Sequence, residues 1–282
     1  MSVLVGDAPG VNRPDYRRPG ALTQLTFDQQ AMVAAVGDDP EALCLAAQHL
    51  LVLPGIPTGA ADEAERQHQR NLRPASAILG TALQLDDRPL GVARRLDRRV
   101  IGTCRHFAVL SCAFLRARNI PARARCGFAT YFEAGRAVDH WITEYWHDQL
   151  DRWIRIDSEL VGIDLGLAVN ATDLPPAAFL AGPEAWSAYR HGTDPMSFGV
   201  HGTENWGVAE IIGNAIRDLA ALHRVEMLPW DEWGPMRTCY DGAVSEEVEQ
   251  LMDDLVTAST APDTADTTAL YSRVCVPDAL IW

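Results

Sequence analysis

The chain contains no lysine; all 24 of its basic residues are arginine. That excludes a Walker-type phosphate loop, a Schiff-base lysine and a Ser-Lys dyad. Also missing are any apolar run near about 18 residues and an N-terminal apolar stretch of signal-peptide length, so the expected location is the cytoplasm, with no membrane partner. Cysteine pairs are absent as well. Cys44, Cys104, Cys112, Cys126, Cys239 and Cys275 show neither a Cys-x-x-Cys pair nor a zinc spacing, and read as reduced thiols rather than a disulfide framework or a structural metal site. Positive charge is scarce. With 24 basic against 38 acidic residues the formal charge is -14, which argues against nucleic acid as a partner.

Present instead is enough apolar substance for a real core: 48% of 282 residues, room for one large domain or two small ones. Residues 1–27 hold Pro and Gly without periodicity and read as an irregular arm. Asp39-Pro40 opens a helix through about Val52, ended by Pro54-Gly55, and Pro74 to Leu85 gives another. Then comes the stretch on which the reading turns. From Phe107 to Arg118 only Ser111, Arg116 and Arg118 are polar, so this is a helix sunk in a core. Thr103 suits its N-cap, Asn119 the left-handed residue past its end, and Pro121 forbids continuation. Cys104 therefore falls in the first turn, where free N–H groups and the helix dipole favour a thiolate. The plain alternative is one more small apolar residue, as Cys112 reads one face further on.

After this helix the period changes to 2, and 122–132, 139–147 and 151–157 read as antiparallel strands. The helical texture returns at 176–190, 206–223 and 245–256, and 257–268 has the small, acidic composition of a flexible segment. The fold class is thus α+β. Four regions are expected: the arm at 1–27, a catalytic core at 28–160, a helical C-terminal extension at 161–256, and a flexible acidic segment with the tail at 257–282.

A thiol nucleophile needs a base, and the base needs an orienting acceptor. The strand region offers His140 and Asp157. A two-residue hairpin loop at Asp148-Gln149 would pair them directly, with Ile142, Glu144, Trp153 and Arg155 on their face and Trp141, Thr143, Tyr145, Ile154 and Ile156 on the more apolar one. The other histidines have no ligand spacing; His106, two residues after the cysteine, points elsewhere. The loop 227–236 offers Trp230, Asp231 and Trp233 as cleft walls, and Trp141 adjoins His140, so these four are candidate substrate contacts. Arg105, Arg123, Arg125 and Arg155 read as partners of the many acidic residues.

Gly102-Thr103-Cys104 with Phe107-Ala108, Leu115-Arg116-Ala117, Ile120-Pro121-Ala122-Arg123 and Gly127-Phe128, then Asp139-His140 with Glu144, then Trp153-Ile154-Arg155-Ile156-Asp157, resembles the transglutaminase-like superfamily of papain-type thiol enzymes. The blocks cover about residues 96–160. They depart from the usual pattern at Trp141, Ile142 and Ser158. The resemblance implies a buried cysteine helix packed on a small antiparallel sheet, between helical extensions. It assigns nucleophile, base and orienter to Cys104, His140 and Asp157. It implies no cofactor and no metal, and its reactions range over crosslinking, peptide hydrolysis, glycan-releasing amidase action and small-molecule amide formation. The expected activity is acyl transfer through a Cys104 thioester on an amide- or acyl-bearing substrate, small or specialised, with an amine as possible second substrate. A binding module that keeps the fold is the alternative from another class, and a redox thiol with Cys112 or Cys126 as resolving partner is a third.

Overall fold

The structure is a computed structural model that describes residues 15–60, 64–260 and 267–281. The expected arm at 1–27 and flexible segment at 257–268 therefore lie partly outside the described residues. The chain begins with helices α1 (Phe27–Ala34) and α2 (Pro40–Gln48), then a short strand β1 (Leu51–Val52) and helix α3 (Ala75–Leu85). Asp39 caps α2 through its carboxylate, with Pro40 at the first helical position. Helix α1, which the apolar periodicity does not reveal, rests on a capping box in which Thr26 and Gln29 satisfy each other's backbone N–H groups.

Strand β2 (Val100–Ile101) pairs in parallel with β1 and leads through Gly102-Thr103 into helix α4 (Cys104–Ala117). The helix ends where the sequence says it should, with Asn119 left-handed at φ 60 before Pro121. Thr103 has the extended N-cap backbone, and the bond that satisfies its N–H comes from His106 Nδ1 at 3.1 Å. His106 is thereby fixed as a buried structural residue. Gly102 is required by this packing, since a Cβ there would meet His106 Cβ at 2.9 Å. Phe107, Val109, Leu110, Phe114 and Leu115 are buried, each contributing about 1.5–3 kcal/mol.

Strands β3 (Ala122–Ala129), β4 (Ala137–His147) and β5 (Arg152–Ile156) form the antiparallel centre of a sheet. Two more strands come from the stretch expected to be helical. β6 (Phe179–Ala181) pairs with β3, and β7 (Phe198–Gly199) pairs in parallel with Ala137 and Val138 of β4. β5 and β7 thus share one edge of β4 and leave its middle, 139–142, bare on that side. Helices α5 (Gly182–Arg190), α6 (Val208–Leu222), α7 (Met236–Tyr240), α8 (Glu246–Thr260), α9 (Thr268–Arg273) and α10 (Asp278–Ile281) complete the chain. The extension is helical from α5 onward, apart from β7.

One core joins α2, α3 and α4 to Ala124, Cys126, Trp141 and Ile156 of the sheet; a second joins α5, α6, α7 and α8 to Phe128 and Phe198. The extension is therefore packed on the sheet, and α6 is bound to β3 by side chains as well. Asp218 accepts from the Cys126 N–H at 2.9 Å, and Asn214 donates to the Gly127 carbonyl at 3.1 Å. Gly127 lets β6 cross closely, because a Cβ there would lie 2.1 Å from the Leu180 oxygen.

Candidate active site

Thr103, two residues past β2, is the N-cap of α4, so Cys104 is the first residue of a buried helix and is itself half-buried. Its N–H and that of Arg105 have no acceptor within the helix, as at any helix start. Arg105 holds this end in place. Fully buried, it donates to the carbonyls of Glu226 and Arg73 and has its own ionisation lowered to about 10 by burial.

His140 projects from the bare middle of β4, with 3% of its surface exposed. Its Nε2 lies 3.0 Å from Asp157 Oδ2, just past the end of β5. The two are not opposite each other. The loop between β4 and β5 has four residues, 148–151, with Asp151 left-handed at φ 49, and Thr143 pairs with Ile156. The register is therefore two residues from that expected. A shift of two keeps every side chain on its face, so the division into an apolar and a polar side survives. Asp157 reaches back to His140 from beyond the ladder.

The Asp157 carboxylate is fully used. Oδ2 accepts from Tyr131 Oη at 2.5 Å as well as facing His140, while Oδ1 accepts the N–H groups of Glu159 and Leu160 at 3.0 and 3.3 Å. Burial opposes its charge, but His140 and these donors outweigh burial and hold it below the ordinary aspartate range. Burial likewise works against a charged His140, and the Asp157 charge with its hydrogen bond overcomes that, lifting the imidazole well above its usual range. The edges of Tyr131 and Phe132 meet the ring at centroid distances of 6.3 and 5.1 Å.

The thiol of Cys104 faces this imidazole. Its Sγ, a ring nitrogen of His140 and a carboxylate oxygen of Glu159 all lie within 4.8 Å of one another. With Nε2 committed to Asp157, Nδ1 is the nitrogen left for the thiol. Burial pushes the thiol up and the neighbouring His140 pulls it down, with a net rise, so position at the helix start does not by itself make a free thiolate. Cys112 and Cys126 are buried thiols, Cys112 pushed up to about 12 by burial and Cys126 donating to Asn214 Oδ1 at 3.3 Å. All six cysteines are free.

The four candidate substrate contacts are elsewhere. Trp141 points to the opposite side of β4 from His140 and is 1% exposed in the core with α4, because adjacent strand residues face opposite ways. Trp233 is buried against α6 and α7 and donates to the Val274 carbonyl at 2.7 Å. Asp231 is buried in an ion pair with Arg73 and accepts the Leu228 N–H. Trp230 is exposed, with Arg70 over its ring. The Pro-bounded loop thus fastens the extension to the helix start, and none of its residues is brought to Cys104. Three of the four arginines pair with acids as expected: Arg123, Arg125 and Arg155 all converge on Glu144, while Arg125 also binds Asp218 and Arg155 also binds Glu184; Arg105 instead directs its donors to the Glu226 and Arg73 carbonyls.

Two residues at the site have no counterpart in the sequence reading. Tyr131 lies past the last paired residue of β3, which ends at Ala129 and not at 132 as expected, so the strand period does not set its direction. Glu159 carried a signal, a carboxylate two positions after Asp157, but nothing in the strand pattern tells that the chain turns there. Its carboxyl is pushed up to about 7, chiefly by burial, with Asp157 adding to the rise and His140 opposing it.

No curated protein matches the chain. A solved structure from Cytophaga hutchinsonii described as a candidate cysteine protease is similar at 18% identity and a TM-score of 0.37, over 63% of this chain and 48% of that one. The chain thus spans about half the length of that protein. The family model of the transglutaminase-like superfamily matches residues 64–158, from before α3 to just past Asp157. With the cysteine at the start of the buried helix, the histidine on the strand and the aspartate beyond the next, the segment 64–158 belongs to the transglutaminase-like superfamily.

Proposed function

We propose that the chain is a thiol acyl-transfer enzyme that hydrolyses or exchanges an amide, ester or thioester bond through a Cys104 acyl-thioester. The observation that carries this reading is a single imidazole, His140, with Nε2 on Asp157 at 3.0 Å and the Cys104 thiol on its other side. Nδ1 takes the thiol proton as Sγ attacks the carbonyl carbon, and the Cys104 N–H at the helix start is the donor nearest the developing oxyanion. The imidazolium gives the proton to the leaving amine, alcohol or thiol. Water or an amine then attacks the thioester, His140 taking its proton, and Cys104 is released as the thiol. Asp157 keeps Nδ1 free by holding the proton of Nε2. The near-complete enclosure of His140 supports a small or slender substrate over bulk protein crosslinking.

The test is the rate of Cys104 alkylation by iodoacetamide against pH, followed by peptide mass mapping, in the wild type and in His140→Ala. Since burial pushes the thiol up, with the Asp139 and Glu159 carboxylates adding to the rise, and a charged His140 pulls it down, removing the imidazole leaves the rise unopposed and moves the alkylation midpoint to higher pH. At pH 7 we expect the variant to react more than about tenfold slower, each pH unit of midpoint corresponding to tenfold in thiolate. A panel of thioesters and amides should then leave an acyl mass on the Cys104 peptide. Identical pH profiles in the two proteins, with no acyl adduct, would return the chain to the binding-module reading.

Tyr131→Phe removes one charge-assisted donor from Asp157, an interaction of about 1.5–3 kcal/mol. Because that donor helps hold Asp157 below its ordinary range, its loss raises the carboxyl. The acid limb of the rate profile should move to higher pH, and kcat should fall roughly tenfold. An unmoved acid limb would mean that Tyr131 only packs against the histidine.

A further inference from the structure

Acyl transfer makes no use of Glu159. A carboxylate beside the sulfur opposes the negative charge that the thiol must take up, yet Glu159 is built into the site: its N–H is bound by Asp157 Oδ1 at 3.0 Å, which fixes its backbone on the turn facing the imidazole. Among the described residues its charged neighbours are His140 and Asp157. Three donors of different kinds, a sulfur, a ring nitrogen and a carboxylate oxygen, converge within 4.8 Å of one another. The group that reconciles them is a cation.

We propose that Cys104, His140 and Glu159 form a zinc site that holds the nucleophile silent. The donor set selects the ion: thiolate and imidazole disfavour magnesium and calcium, which take oxygen, whereas sulfur, nitrogen and carboxylate together suit tetrahedral zinc. Zinc bonds of about 2.0–2.3 Å place tetrahedral donors about 3.3–3.5 Å apart, so small side-chain rotations suffice from the observed spacing. The surroundings of the histidine fit as well. Asp157 grips Nε2 and aims Nδ1 inward, the carboxylate–histidine arrangement that orients a metal-bound imidazole. Three protein donors leave a fourth position for water. Zinc replaces the Cys104 thiol proton, which passes to solvent, and ties up the sulfur lone pair and the base nitrogen together; no oxidation or reduction is involved. The donors lie 36 and 19 residues apart in sequence (140 − 104 and 159 − 140), which is why no zinc spacing is visible there.

The silencing rests on the acyl-transfer reading; the binding does not. The full chain, stripped with a chelator, is titrated with Zn²⁺ against a competing chromogenic chelator, and separately with Co²⁺. We expect one zinc per chain, a thiolate-to-cobalt charge-transfer band that Cys104→Ser abolishes, and Cys104 alkylation slowed more than about tenfold by one equivalent of zinc and restored by chelator. Glu159→Gln, shown to be folded by circular dichroism, should bind zinc at least about tenfold more weakly, since even an outer-shell partner is worth that much. Cys275→Ser, which removes the exposed thiol, should bind as the wild type does. Zinc bound equally by the wild type and Glu159→Gln, or lost with Cys275, overturns the proposal. Fast, His140-dependent alkylation that zinc leaves unaffected also overturns it while the acyl-transfer reading stands; stoichiometric zinc on Cys104 in a chain that never acylates supports the site and removes the acyl-transfer reading.

Discussion

Asp157→Asn should lower turnover by about 10⁴-fold while leaving the fold intact, the size of effect that the wrong histidine tautomer produces in triad enzymes generally. The direction follows from which oxygen does what. Oδ1 is held by the N–H groups of Glu159 and Leu160, which demand an acceptor, so in the variant the carboxamide oxygen stays on that side. The amide nitrogen then occupies the Oδ2 position, 3.0 Å from His140 Nε2, and donates to it. That puts the ring proton on Nδ1, facing Cys104, where a proton acceptor is required. Tyr131 also loses its charged acceptor at that position. The measurement is single-turnover acylation of Cys104 on the best ester or amide of the panel, with near-ultraviolet circular dichroism to show the native fold. A loss under about tenfold would mean that Asp157 does not set the tautomer.

The second large effect is on stability. Glu144→Gln should cost about 3–5 kcal/mol, the range for breaking a buried charge network by removing one partner. For a chain of this size that is a fall in Tm of about 5–15 °C. Glu144 is 2% exposed and accepts from Arg123 at 2.6 Å, Arg125 at 3.1 and 3.3 Å and Arg155 at 3.0 Å. Burial alone would raise its carboxyl, but Arg125, Arg123 and Arg155 outweigh it and hold the group well below the ordinary range. A depressed carboxyl contributes stability that is fully present above its unfolded value, near about pH 4.3, and is lost as pH falls through the folded one. The difference between wild type and variant should therefore be flat from about pH 5.5 upward and shrink only in acid. Urea melts of both proteins at pH 7 and pH 4 check the cost and its sign; a cost below about 1 kcal/mol at pH 7 would class the cluster with surface ion pairs.

The cysteine helix was legible to within a residue because its ends are chemical: an N-cap threonine, a left-handed asparagine and a proline. The strands were legible from period 2, and although the direct pairing of His140 with Asp157 fails by two residues in register, both stay on one face, since only an odd error would have put them on opposite faces. The error itself arose because Asp151 adopts a left-handed conformation that glycine would have advertised. Strands β6 and β7 escaped notice because three and two residues carry no period. Trp141 is turned away from the site because adjacent strand residues face opposite ways, and the loop at 227–236 is held elsewhere because Asp231 is already bound to Arg73 and the Leu228 N–H. Tyr131 and Glu159 belong to turns, and a turn's side-chain directions come from tertiary packing.

The bare stretch of β4 between β5 and β7 has a consequence for how such a site diversifies. Nothing in the sheet ladder constrains what lies over 139–142 on that edge, and the chain from 161 to 178 runs through turns and loops before it rejoins the sheet at β6. Only its first part is free to vary: further on, the Ala171 carbonyl accepts the Asp157 N–H at 2.8 Å, the Leu174 N–H donates to the Arg155 carbonyl at 2.8 Å, and Leu174 packs with Ile142 of β4. Grafting foreign segments into the largely exposed stretch 162–168 is thus the natural route to retargeting the scaffold, with the proton-handling groups carried along as a fixed cassette.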